Sequence, residues 1–295
     1  MDYKTLENIF VFGDGLSDMG RLGYFTNYKY PPSPPFFEGR WTNGAVWVEY
    51  LAEMLGVKLD FSNNFAIGGA TTGYYNINEP LKQSLNIDKK VVFSGLANQV
   101  EMFLAGKEAV SSKDLYVIWA GGHDIGSYLE YGEPDIIKYP PSLNIKSSIL
   151  KLYIKGARKF LVGNLPDLLN TPLYANSPSK QTIKDIVNHF NSSIDNIFDS
   201  LKLLEGIEII KLDAFNIFEQ IIINHKAYGL DNITESYLPF DYIDFENPLK
   251  ESKYKELFVT KNRLIEDKYM TFWGISVSNR VHKILAEKAL EIINL

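Results

Sequence analysis

The chain reads as an α/β protein, a three-layer sandwich with a five-stranded parallel flavodoxin-like sheet and helices on both faces. Three observations predict this. Short apolar, β-branched runs alternate with longer segments of helical period, the pattern of a parallel sheet covered on both sides. The 295 residues, 45% of them hydrophobic, suffice for one domain with a substantial core. The turns GDGLSD, GGHD and GNLPD each follow one of the runs directly, at the carboxyl edge where such sheets hold their ligands.

The expected strands, in order, are Ile9–Phe12, Leu59–Phe65, Leu115–Trp119, Lys159–Val162 and Ile207–Leu212. Between the first two lies a helical segment, Gly44–Leu55, carrying Val46, Val48, Leu51 and Leu55. Gly95–Leu104 and Ile145–Ala157 are the next helices, Thr182–Leu204 is the longest, and Val277–Ile293 closes the chain. Two stretches read as loops. Tyr30–Arg40 holds four prolines, cannot be regular and is expected to rim the cleft. Tyr228–Lys268 is polar, acidic and aromatic without a period, as lids and protein-partner surfaces often are. With no repeat and no domain-scale linker, residues 1–295 read as one domain.

Composition narrows the function classes. A net charge of −6 and a pI near 5.4, with no basic cluster beyond Lys89-Lys90, argue against nucleic acid and anionic membranes as partners. The absence of cysteine excludes disulfides and thiol catalysis. Met1–Asn8 is too short and polar for a signal peptide, and no apolar run reaches the roughly 18–20 residues of a transmembrane helix. The expectation is a cytoplasmic protein, with signal-independent export left open. The four histidines are isolated, so no metal site is expected, and Gly68-Gly69 and Gly121-Gly122 lack phosphate-loop context, so no cofactor is expected either. The sequons at Asn191 and Asn232 read as chance matches.

Six segments then stand in a telling order: VFGDGLSDMG (Val11–Gly20), GRWTNGAVWVEYLAEMLG (Gly39–Gly56), NFAIGGATT (Asn64–Thr72), IWAGGHDI (Ile118–Ile125), GARKFLVGNLPDLLNTP (Gly156–Pro172) and YMTFWGISVSNRVHKILAEKAL (Tyr269–Leu290). Together they resemble the GDSL family of lipases and acyl-ester hydrolases, also called SGNH hydrolases, and most closely its bacterial lysophospholipase and acyltransferase branch. The resemblance implies the SGNH-hydrolase fold and a Ser-Asp-His triad. It also implies where that triad should stand, and those positions hold Gly15, Gly274 and Val277. The asparagine expected to lend an amide to the oxyanion hole is His123. Removing any triad member costs on the order of 10⁴–10⁶ in kcat, so serine ester hydrolysis or acyl transfer is the least favoured of three readings.

The backbone half of an oxyanion hole survives side-chain substitution, and the resemblance assigns it to the N–H groups of Gly15 and Gly69. His123 adds a donor from either ring nitrogen. The first reading is therefore a pseudoenzyme that binds an acyl, lipid or polyketide-like ligand, or another carbonyl compound, at the retained cleft. Its ligand-binding residues would be Gly15, Gly69, His123 and Ser17. The second is a repurposed enzyme in which His123, oriented by Asp14 or Asp124, does acid/base chemistry such as proton transfer, cyclisation or C–C bond formation. Beside these stand plainer roles: Asp14 and Asp18 bonding turn N–H groups, Ser17 capping a turn, His282 packing on the last helix, and His189 and His225 solvated.

Overall fold

The computed structural model describes residues 6–132, 136, 139–244, 250, 252–253 and 263–294. Its elements run β1 (Ile9–Gly13), α1 (Arg21–Phe25), α2 (Trp47–Leu55), α3 (Leu81–Ser84), α4 (Leu96–Leu104), β2 (Leu115–Trp119), α5 (Gly122–Tyr131), α6 (Pro141–Ile154), β3 (Lys159–Gly163), α7 (Lys180–Leu201), β4 (Glu208–Leu212), α8 (Ala214–Ile223), β5 (Asn232–Ser236), α9 (Arg263–Glu266), β6 (Tyr269–Trp273), β7 (Ser276–Val277) and α10 (Asn279–Ile293). The central sheet is parallel, in the order β1-β2-β3-β4, with Gly13 opposite Trp119 at the end of the first pair.

Alternation along these strands explains the three layers, because successive side chains leave opposite faces. Val117 and Trp119 of β2 join a core with Trp47, Leu51, Phe218, Val281 and Leu285, from α2, α8 and α10. Tyr116 and Ile118 join a second core with Val100, Phe103, Ile149 and Val187, from α4, α6 and α7. Both faces of β2 and β3 are fully covered, while the edge strand β4 stays half-exposed along most of its length.

The sheet has four strands, not five. The expected strand Leu59–Phe65 runs beside β1 but makes only one bridge, Val11 to Asn64, with Val11 N donating to Asn63 O and Phe65 N to Val11 O. Its polar middle explains this. Asp60 accepts from Ser62 N (2.7 Å), while Asn63 accepts from Asp60 N (2.7 Å) and donates to Lys58 O (2.7 Å). These local bonds compete with a ladder and curl the segment into turns.

The final helix also starts later than Val277. Val277 belongs to β7, which with β5 and β6 forms a second, three-stranded sheet that the sequence reading lacks. β5 and β6 are parallel, so part of the expected lid-like insertion, Asn232–Ser236, is a strand at its start. Residues 245–249, 251 and 254–262 of that insertion lie outside the described residues. The proline-rich stretch 30–40 buries Tyr30 and Phe36 in an aromatic cluster with Trp41, Tyr242, Phe272 and Trp273.

One side chain fixes the end of β1. Gln99 of α4 accepts from Gly13 N (2.8 Å) and donates to Gly13 O (2.9 Å), entirely buried. The approach is close: a Cβ on Gly13 would stand 2.2 Å from Trp119 O. Gln99→Leu strips the buried Gly13 N–H of its partner and should cost about 1–3 kcal/mol, measured by urea unfolding; an unchanged midpoint would show that the clamp is dispensable.

Candidate ligand site at the sheet edge

Beyond Gly13 the chain turns sharply. Asp14 N donates to Trp119 O (3.4 Å), and Ser17 N donates back to Asp14 O (3.0 Å). Since a trans peptide points its C=O and N–H in opposite directions, that second bond turns the Gly15 N–H out of the turn. Gly15 N–H meets no acceptor among the described residues.

A second peptide is held in the same way. Asn76 and Asn78 both donate their side-chain amides to Gly68 O, each at 3.0 Å. The N–H of Gly69, across that peptide, is thereby directed away from the asparagine pair and also meets no acceptor among the described residues. Gly69 has φ +85, and a Cβ there would stand 2.3 Å from Asn78 Nδ2, so the tight packing demands glycine. The two loops touch: a Cβ on Gly15 would lie 3.7 Å from Gly68 Cα.

His123 is the second residue of α5, at the end of the neighbouring strand β2. Its ring is partly exposed at the surface yet surrounded by protein, and desolvation pushes its pKa down to about 4. At neutral pH it is an uncharged imidazole, able to donate from one nitrogen only. Asp124 beside it is buried and committed, accepting from Thr72 N (2.9 Å) and Thr72 Oγ1 (2.7 Å), while Asn144 Nδ2 donates to Thr72 Oγ1 (3.0 Å). Burial raises Asp124 to about 6. Asp14 is raised further, to about 7, first by burial and then by the charges of Asp124 and Asp18, against the Leu16 N–H that bonds its carboxylate at 3.0 Å. Asp14 and Asp124 thus share one low-dielectric neighbourhood at the ends of β1 and β2.

The remaining residues separate. Ser17 is fully buried and its hydroxyl accepts from Trp47 Nε1 (3.1 Å), so it braces α2. His282 accepts from Trp47 N (3.2 Å) through Nδ1, capping α2 from the core, and burial lowers it to about 3. Val277 is buried in the core, and its carbonyl accepts from Thr42 Oγ1 (2.8 Å). Gly274, φ +60, makes the β6–β7 turn and donates to Ser236 Oγ (3.1 Å). Gln99, Asn76, Asn78, Thr72 and Trp41 shape the site without having stood out in the sequence; an asparagine pair eight and ten residues after Gly68 was the available signal for the asparagines. Among the described residues no His, Asp and Glu group could hold a metal, and no helix is long and apolar enough to cross a membrane.

Residues 9–273 match the family described as GDSL-like Lipase/Acylhydrolase. The chain belongs to that family. Among curated relatives, a phosphatidylcholine-sterol acyltransferase of Aeromonas hydrophila is 28% identical over 81% of this chain and 68% of its own length. A thermolabile hemolysin of Vibrio parahaemolyticus is 22% identical over 100% of this chain and 65% of its own. The chain thus spans about two thirds of the length of these relatives. Among solved structures, a lipolytic G-D-S-L family member from Veillonella parvula is similar over 98% of both chains at 11% identity, with a TM-score of 0.45. Within this family's fold, the two outward N–H groups and His123 stand at the carboxyl edge of the sheet.

The shifted groups give two expectations. His123, titrated by NMR, should stay neutral down to about pH 4; titration near pH 6.5 would mean that the surrounding protein does not desolvate the ring. For Asp14, a raised folded pKa contributes stability that is full below the unfolded value near 4 and is lost as pH rises through about 7. Asp14→Asn, which keeps an acceptor for Leu16 N, should therefore gain stability relative to wild type between pH 4 and pH 8. The gain should be on the order of 2–4 kcal/mol, read from denaturant unfolding at the two pH values. A pH-independent difference would contradict the buried, raised carboxyl.

Proposed function

We propose that this GDSL-family protein has lost serine ester hydrolysis and binds an acyl, lipid or polyketide-like ligand, holding its carbonyl or carboxylate oxygen at the sheet edge. One observation carries the reading. The peptides preceding Gly15 and Gly69 are each locked by their carbonyl oxygens, leaving two N–H donors turned outward without acceptors among the described residues, while position 15 offers no nucleophile. Such donors suit an oxygen bearing negative or partial negative charge. Gly274 is spent on a turn and Val277 on the core, so neither supplies a base or its orienter.

A neutral His123 supports its role as a hydrogen-bond donor to the same ligand. Catalysis by His123 finds less support, because a general base works best with a pKa near the working pH and the ring sits near 4. Asp124, its nearest carboxylate in sequence, is engaged by Thr72 on both oxygens.

The purified protein should hydrolyse neither p-nitrophenyl butyrate nor lysophosphatidylcholine above background. Turnover of about 1 s⁻¹, within the ordinary enzymatic range and resistant to serine-directed organophosphates, would overturn the proposal. Gly15→Ser alone should not create activity. No base stands at 274 or 277 to activate the hydroxyl, and its Cβ would press to 3.2 Å from Trp41 Cδ1.

A further inference from the structure

Four tryptophans are spread through the chain, and three have their indole N–H satisfied. Trp47 donates to Ser17 Oγ (3.1 Å), Trp119 to Asn164 O (2.9 Å) and Trp273 to Phe240 O (3.1 Å). Trp41 is 9% exposed, and its Nε1 is buried without an acceptor among the described residues. Its location makes this informative. A Cβ on Gly68 would stand 2.4 Å from Trp41 Nε1, and one on Gly15 would stand 3.2 Å from Trp41 Cδ1. The pyrrole edge of the indole therefore lies against both loops that carry the outward peptide N–H groups.

The ring has little freedom to turn that edge elsewhere. Tyr30 and Phe36 meet it edge-on with centroids at 5.1 and 5.5 Å, and Trp273 stacks on it at 5.5 Å. Phe240 in turn stacks on Trp273 at 5.8 Å, continuing an aromatic wall from Trp41. A buried N–H without a partner is destabilising unless an acceptor reaches it, and this one lies against the loops that carry the two further donors.

We propose that the Trp41 indole N–H is a third donor to the bound ligand's acyl oxygen, and that the ligand's apolar chain runs along the Trp41–Trp273–Phe240 wall. This rests on the reading that the cleft binds an oxygen-bearing acyl ligand. Three donors outnumber what one ester carbonyl readily accepts, whereas a carboxylate has two oxygens and about four acceptor directions. A long-chain carboxylate is thus the preferred class over its ester.

The test compares dodecanoate with methyl dodecanoate, binding each to wild type and to Trp41→Phe by calorimetry. Phenylalanine keeps an aromatic ring and removes only the donor. Dodecanoate should bind the variant about tenfold or more weakly, as expected for a hydrogen bond to a charged acceptor, and the methyl ester should lose only about two- to tenfold. A second measurement uses the wild-type protein and so does not depend on how the variant folds. In indole ¹H–¹⁵N spectra, the Trp41 resonance, identified by its contact with the Gly68 methylene, should move downfield with dodecanoate while those of Trp47 and Trp119, off the wall, stay. Equal affinities for both proteins with an unmoved Trp41 resonance would overturn the role of Trp41 and leave the binding reading standing. No binding of either probe by wild type would overturn both.

Discussion

A single buried carboxylate holds the candidate site in one piece. Asp18 accepts from Gly20 N (2.9 Å), Arg21 N (2.6 Å), Leu22 N (3.2 Å) and Gly68 N (2.8 Å). Three of these donors open α1, and the fourth belongs to a loop 50 residues away. Burial drives the Asp18 pKa up, and the four N–H groups oppose that shift by stabilising the charged form. With Asp18 at their junction, the turn after β1 and the Gly68-Gly69 loop cannot drift apart, and the two outward peptide donors stay neighbours.

The same economy recurs one layer out. Gln99 secures Gly13, Asn76 and Asn78 secure Gly68, and Thr72 with Asn144 secures Asp124. In each case a buried polar side chain satisfies a backbone or carboxylate group that would otherwise be costly to bury. What these contacts orient is backbone, so the donor geometry does not depend on which side chain stands at position 15. That independence is the physical basis of the proposed binding role, which needs no particular side chain at position 15.

The four strands of the sheet were legible because Ile9–Phe12, Leu115–Trp119, Lys159–Val162 and Ile207–Leu212 are apolar runs that only a doubly covered sheet can bury. Leu59–Phe65 misled because its ends are apolar while the side chains of Asp60, Asn63 and Asn64 bond the backbone of Lys58, Asp60, Ser62 and Ala66. β5 was missed because Asn232–Ser236 is polar and half exposed, and pairs only because β6 lies alongside. The bond of Ser17 to Trp47 was not legible because its partner is 30 residues distant and nothing local announces it.

The sequence by itself determined the family, the parallel sheet and the edge at which Gly15, Gly69 and His123 stand, since these depend on local runs, glycine turns and their order. Only the tertiary structure decided which polar groups are spent and which are left over. Whether Asp124 is free, whether the Ser17 hydroxyl is bonded, and whether an indole N–H has an acceptor all depend on residues tens to hundreds of positions away. Hydrogen-bond satisfaction is a property of the packed chain, and no run of residues encodes it alone.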